Sequence, residues 1–226
     1  MQINQQSKTT ELFDNLSRYY GQQDWWPATT PFAMASGAIL TQSTNWNNAN
    51  KALTKLANND LLSPSGIHRT PHEQLAQLIR SSGYYNIKAL RLKALASHIY
   101  YSHGDDFEAY LKQPIAFLRQ DLLSIKGIGK ETADAIILYA GYQAIFVIDE
   151  YTKRFFSRFG LGPRNGIYDD WQEFFHTSIP RVTAIYNEYH AVIVAHCKTL
   201  CKKTPECHSC FLNNECQRGK ESAPRQ

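Results

Sequence analysis

Four of the five cysteines of this 226-residue chain are spaced Cys201-x5-Cys207-x2-Cys210-x5-Cys216, and Cys197 precedes them by about one helical turn. A disulfide framework ties distant parts of a small secreted chain together, whereas thiolates crowded into one short loop wrap a metal. Donor chemistry alone leaves zinc and a 4Fe-4S cluster nearly even, and leaves Cys197 as a free thiol. A second constellation lies in residues 122–140, LLSIKGIGKETADAIILYA, where one amphipathic helix ends, a turn with two glycines follows and another helix begins. Glycine permits positive φ and close backbone approach. Amides around Lys126, Gly127, Ile128, Gly129 and Lys130 are therefore expected to face outward at a helix start. There, hydrogen bonds and the helix dipole both favour a phosphate. Glycine turns between helices also occur for packing alone, but here Ile125 and Ile128 can anchor the turn while the amides stay outside.

The elements that must position these residues have a helical period. Leu92, Leu95, Ala96 and Ile99 recur at helical spacing, as do Trp46, Ala49, Leu53 and Leu56, and Ala133, Ile136, Ile137 and Ala140. Residues 70–73 read as a capping box, with Thr70 as N-cap, Pro71 at the first helical position and Glu73 reaching back. Only residues 144–148, AIFVI, have strand-like composition, and they are too short and isolated to imply a sheet. The expected fold class is all-α. A hydrophobic fraction of 43% supports a packed core, and a net charge of +4 fits a nucleic-acid partner without establishing one. No run approaches the roughly 18–20 apolar residues of a membrane span. The polar start MQINQQSKTT lacks the apolar stretch of a secretory signal. The expected location is intracellular and cytoplasmic, at the nucleoid if the source is prokaryotic.

The hairpin is followed, eighteen residues after Glu131, by Ile148-Asp149 at the head of a helix. With the cysteine loop, this resembles the helix-hairpin-helix glycosylases, which include endonuclease III, the MutY-type adenine glycosylases and the endonuclease III-like 3-methyladenine glycosylases. The resemblance runs from about residue 25 to residue 216. It implies that Asp149 is the catalytic carboxylate. An N-glycosidic bond breaks through a transition state of oxocarbenium character, which a carboxylate can stabilise or supply with activated water. Taken by itself, Asp149 is a good N-cap for a helix running to Arg158. In the bifunctional members a lysine two residues after the second hairpin glycine forms a Schiff base with the sugar. Glu131 stands there in this chain, and Lys130 is turned from it by about 100° on a helix, so efficient lyase action is not expected. The adenine glycosylases need a carboxylate in the helix before their glutamine motif, and residues 36–40 hold none, so adenine mispair repair is not expected.

The segments Trp25-Trp26-Pro27, residues 40–46 and residues 81–88 resemble those of the 3-methyladenine enzymes. Trp25, Trp26, Pro27 and Trp46 are then expected to form the base pocket, since stacking a cationic base on an indole face is worth about 0.5–2 kcal/mol. Core packing is the competing use of any one tryptophan. Gln42 resembles the glutamine that fills the gap left by a flipped nucleotide. The cysteine loop is similar to the family's C-x6-C-x2-C-x5-C loop, one residue shorter in its first interval, and the resemblance implies a 4Fe-4S cluster on Cys201, Cys207, Cys210 and Cys216. Tyr189, His190 and His196 lie on the last apolar helix and read as buried or half-buried residues without chemistry.

Two lobes are expected: a helical barrel over residues 31–143, and a lobe of residues 1–30 with 144–226 that carries the cluster loop 201–216. The cleft between them should hold Asp149, Glu131 and the aromatics. The expected activity is that of a monomeric, monofunctional DNA glycosylase acting on an alkylated purine in double-stranded DNA. The alternatives are endonuclease III-type excision of oxidised pyrimidines with weak lyase action, and a non-catalytic helix-hairpin-helix DNA-binding protein.

Overall fold

Hydroxyl, amide and carboxylate side chains set most helix starts in the first half of the chain. Thr30 accepts from the Ala33 N–H, Asn45 from Asn48, Ser63 from Gly66 and Asp106 from Ala109, at 2.8 to 3.1 Å. Pro31 and Pro64 stand at first helical positions, where the missing N–H is not needed. The computed structural model describes residues 2–23, 25 and 28–222. In chain order its helices are α1 (Gln2–Tyr20), α2 (Pro31–Leu40), α3 (Trp46–Ala57), α4 (Pro64–Arg69), α5 (His72–Leu78), α6 (Tyr85–His103), α7 (Phe107–Leu111), α8 (Ile115–Ser124), α9 (Lys130–Ala135), α10 (Glu150–Phe159), α11 (Tyr168–Ser178), α12 (Thr183–Thr199) and α13 (Gln217–Ser222). A π-helical turn, Ile136–Ala140, continues α9. Among the described residues there is no β-strand, and no helix is long and apolar enough to cross a membrane.

The chain divides into two units, Trp26–Gln143 and Met1–Trp25 with Ala144–Gln226. In the first, α2 carries no charge and buries nine of its ten residues, so it is the core helix around which the unit is built. It packs on α3, α6 and the α9 region. The α6 stripe Leu92, Leu95, Ala96 and Ile99 is fully buried. Lys88, at the start of α6, is buried too, with Nζ donating to the carbonyls of Leu40 (2.8 Å) and Ser82 (2.6 Å). Burial pushes its ammonium down to about 8, with Arg91 adding to the shift. Thr70 does not cap the helix after it. Its Oγ1 donates back to the Gly66 carbonyl at 2.7 Å, closing α4, and Pro71 precedes α5 with no side-chain cap. The residue before a proline is held extended, and from that conformation the hydroxyl reaches the preceding turn.

In the second unit α1 lies along α12 and α11, and Tyr189 on α12 donates to the Thr9 carbonyl at 2.8 Å. Residues 144–148 belong to no helix or strand, and residues 145–148 are buried. Unpaired buried amides would be costly, and α11 supplies the partners. The Phe146 N–H donates to His176 Nε2 (3.1 Å), Gln172 donates to the Phe146 carbonyl (2.8 Å), and the Ile148 N–H donates to the Tyr168 hydroxyl (3.3 Å).

Candidate active site

That tethered segment delivers Asp149 to the head of α10. Its backbone is extended (φ −111°, ψ 178°), and its carboxylate accepts the Thr152 N–H at 2.7 Å through Oδ1. Oδ2 faces Nε2 of His190 on α12 at 3.4 Å, and the aspartate side chain is 13% exposed. Burial pushes the carboxyl up, but the His190 charge and the Thr152 N–H outweigh it and hold it below the usual carboxylate range. At neutral pH it is ionised, and an ionised, doubly held carboxylate is suited to stabilising developing positive charge. Both readings of Asp149, helix cap and charged site residue, thus describe the same atoms. Sequence reasoning gave His190 no chemistry. The available signal was a lone imidazole on an otherwise apolar helix face, since a buried ring needs a polar partner. Trp25 meets His190 edge-on, with ring centroids 6.4 Å apart, and Lys198 Nζ stands 5.4 Å from the Trp25 centroid, so this indole already faces a cation. Trp26 and Pro27 lie outside the described residues. Trp46 is the half-buried first residue of α3, in the other unit.

The hairpin joins α8 to α9, with Ile125 and Ile128 buried and Lys126, Gly127 and Gly129 exposed. The Ile128 N–H does not face outward as expected. It donates to the Ile125 carbonyl at 3.1 Å and closes the turn. Gly127 has φ +93°, and a Cβ there would run into the Arg91 side chain. Gly129 is extended, and nothing stands within 4 Å of the place a Cβ would take, so the start of α9 opens onto free space. Lys130 is half-exposed and Glu131 exposed, both in the first turn of α9. Fully buried Asp134 binds Arg119 of α8 through both oxygens (2.8 and 3.3 Å), clamping the two arms of the hairpin. Gln42, just after α2, donates to Thr132 Oγ1 at 2.9 Å and accepts from Arg91. Arg91, which the sequence reading passed over, therefore links Gln42 to the hairpin.

The two glycines should respond differently to alanine. Gly127→Ala places a side chain at positive φ against Arg91 and is expected to destabilise by about 1–3 kcal/mol. Gly129→Ala should leave the melting temperature nearly unchanged; if a phosphate of a DNA duplex occupies the open space at the start of α9, the same change should weaken duplex binding. Thermal melts and fluorescence anisotropy on both variants check this, and equal behaviour of the pair would contradict it.

Cys201, Cys207, Cys210 and Cys216 line one pocket in the second unit, backed by Phe155, Arg158, His196 and Leu212. Cys197 is not part of it; its thiol donates to the Tyr151 carbonyl at 3.4 Å. Arg158 donates to Cys201 Sγ (3.4 Å) and to the carbonyls of Lys202 and Lys203, and Arg154 donates to the Cys201 carbonyl (3.1 Å). The neighbouring Cys197 thiol and the Arg158 and Arg154 guanidinium groups pull the Cys201 thiol down against its burial, toward the thiolate a metal requires. Burial pushes Cys210 and Cys216 up, a penalty that a bound metal would remove. Among the described residues no three His, Cys, Asp or Glu side chains converge as ligands of a single ion do.

The HhH-GPD superfamily of base excision DNA repair proteins matches residues 36–181. A Methanocaldococcus jannaschii protein provisionally described as a DNA repair glycosylase is 44% identical over 207 residues, 91% of this chain and 94% of that one. The structure of Helicobacter pylori 3-methyladenine DNA glycosylase bound to 1,N6-ethenoadenine is similar at a TM-score of 0.70 and 28% identity, covering 83% of this chain and 96% of the other. A trapped endonuclease III–DNA covalent intermediate shares the fold at a TM-score of 0.82 and 21% identity, covering 96% and 97%. The chain belongs to the HhH-GPD superfamily of base excision DNA repair proteins.

Proposed function

We propose that this protein is a monofunctional DNA glycosylase that hydrolyses the N-glycosidic bond of an alkylated purine flipped from double-stranded DNA. The observation that carries this reading is the Asp149 carboxylate, ionised and fixed at the head of α10 by Thr152 and His190. As the sugar takes on oxocarbenium character, that charge lowers the barrier, and water completes the hydrolysis. The hairpin from Lys126 to Lys130 would hold the DNA backbone, with Gln42 as the residue replacing the flipped nucleotide. Glu131 supplies no amine where the bifunctional relatives carry one, which supports hydrolysis without strand cleavage. Trp25, Trp26, Pro27 and Trp46 would receive the base. A cationic alkylated purine gains from an indole face and leaves readily, because cleavage neutralises it. A similar structure at 28% identity is a 3-methyladenine glycosylase crystallised with an ethenoadenine, which supports the same substrate class.

The test is a panel of single-lesion duplexes carrying 3-methyladenine, 7-methylguanine, 1,N6-ethenoadenine, hypoxanthine, uracil or thymine glycol, assayed with and without alkaline workup. Release of alkylated purines, with strand breaks only after alkali, is expected. Release of thymine glycol with breaks in its absence would establish the endonuclease III-type reading instead.

The four pocket cysteines suit a 4Fe-4S cluster, because each iron of a cubane takes one thiolate and the four need not converge on one ion. When bound, the cluster would tie residues 201–216 into a fixed loop. Protein purified without oxygen should be yellow-brown and contain iron and acid-labile sulfide. Cys207→Ser should lose the iron and Cys197→Ser should keep it. Stoichiometric zinc without iron would overturn the assignment.

A further inference from the structure

Asp149 has two carboxylate oxygens and unequal demands on them. Oδ1 accepts the Thr152 N–H at 2.7 Å, which closes the first turn of α10 and fixes that oxygen in the cap. Oδ2 alone remains for a sugar or a water, and the group that faces it is His190 Nε2 at 3.4 Å. His190 is itself held. It is 4% exposed, on a face of α12 that packs along α10, with the Trp25 and Phe146 rings edge-on to it at 6.4 Å. Seven residues on, Cys197 fixes the same helix face through its bond to the Tyr151 carbonyl. The groups that face the Asp149 carboxylate are therefore the His190 imidazole of α12, at Oδ2, and Thr152 of α10, at Oδ1.

We infer that His190 is the positioning residue of the reaction, holding Asp149 Oδ2 in the rotamer that serves the substrate. This rests on the reading of Asp149 as the catalytic carboxylate. The arrangement favours a particular use of Asp149. A carboxylate faced by an imidazole and capping a helix is a poor proton acceptor and a well-oriented charge, so it acts by stabilising the oxocarbenium rather than by taking a proton from water. His190 need not touch the DNA. Its effect passes through one oxygen of Asp149.

The test compares His190→Leu, His190→Gln, Asp149→Asn and the double variant His190→Leu/Asp149→Asn in the whole 226-residue chain. Base release is followed under single-turnover conditions on duplex DNA treated with a methylating agent, and affinity is measured for a duplex containing a tetrahydrofuran abasic analogue. His190→Leu should slow release by about 10- to 100-fold, the range expected when a catalytic group is misplaced by about 1 Å, with affinity unchanged. His190→Gln returns an N–H near the Nε2 position and should recover much of the rate. In the Asp149→Asn background His190→Leu should add no further loss, because a residue acting through Asp149 has nothing left to act on. A carboxyl-carbon NMR titration of Asp149, which needs no substrate, should show its midpoint moving up in His190→Leu. Release within twofold of wild type, losses that multiply in the double variant, or an unmoved Asp149 titration would each overturn the assignment of His190. Near-normal release by Asp149→Asn would instead remove the catalytic reading of Asp149, and the titration would still report whether His190 controls that carboxylate. If His190→Leu fails to fold, the titration of His190→Gln decides, since glutamine carries no charge and the Asp149 midpoint must still move up.

Discussion

Asp149→Asn is expected to slow base release by about 10²- to 10³-fold, the loss typical of removing one preorganised electrostatic contact to a transition state, while duplex affinity stays within a few-fold of wild type. Asparagine caps helices about as well as aspartate, so the Thr152 N–H keeps its acceptor and α10 its start. What disappears is the charge. The substitution also has a pH signature. The folded-state carboxyl stands below its unfolded value, near 3.8, so the aspartate contributes stability above that value and loses it as pH falls through the folded-state midpoint. The variant should therefore melt lower than wild type at neutral pH, and the gap should close on acidification. Rates on a confirmed lesion duplex and melts across pH check both halves. Retained turnover with a normal melting gap would leave Asp149 as a helix cap and ion-pair partner only.

Glu131→Lys should convert a protein that forms little covalent complex with substrate DNA under borohydride into one that is readily trapped and cuts at abasic sites. Glu131 is exposed in the first turn of α9, so the exchange disturbs no core contact and replaces a carboxylate with an amine at the position where the bifunctional relatives hold theirs. The gain is limited by protonation, since an exposed lysine stays mostly charged at neutral pH and a charged amine does not attack. Trapping should therefore rise with pH between about 7 and 10. Strong trapping by the unmodified protein would show that another amine, Lys130 being adjacent, already performs this chemistry, and the monofunctional reading would fall.

The sequence announced the all-helical fold and the cysteine loop through local signals: helical spacing of apolar residues and four thiolates in one short segment. The hairpin was legible for the same reason, since Gly127 and the buried pair Ile125 and Ile128 act within a few residues of one another. What stayed hidden depends on contacts between distant positions. The Arg91–Gln42 bond spans 49 residues, the Gln42–Thr132 bond spans 90, and His190 meets Asp149 from a separate helix. No periodicity reports such pairs. Thr70 shows the other kind of miss, because a threonine before a proline fits a helix start and a helix end equally in one dimension, and the direction of its hydroxyl decides.

The buried run before Asp149 has a consequence for how the protein dies rather than how it works. Residues 143–148, QAIFVI, are uncharged, rich in β-formers and free of proline and glycine, the composition that seeds intermolecular strand stacking. In the fold three of their backbone groups are already held by His176, Gln172 and Tyr168, which works against pairing with another chain. Those three partners come from one helix, α11, so fraying of that helix would release all three backbone groups together. Inactivation by heat is then expected to run toward aggregate instead of back to the native state. On that expectation the useful lifetime of the protein follows how often α11 opens more than its equilibrium stability.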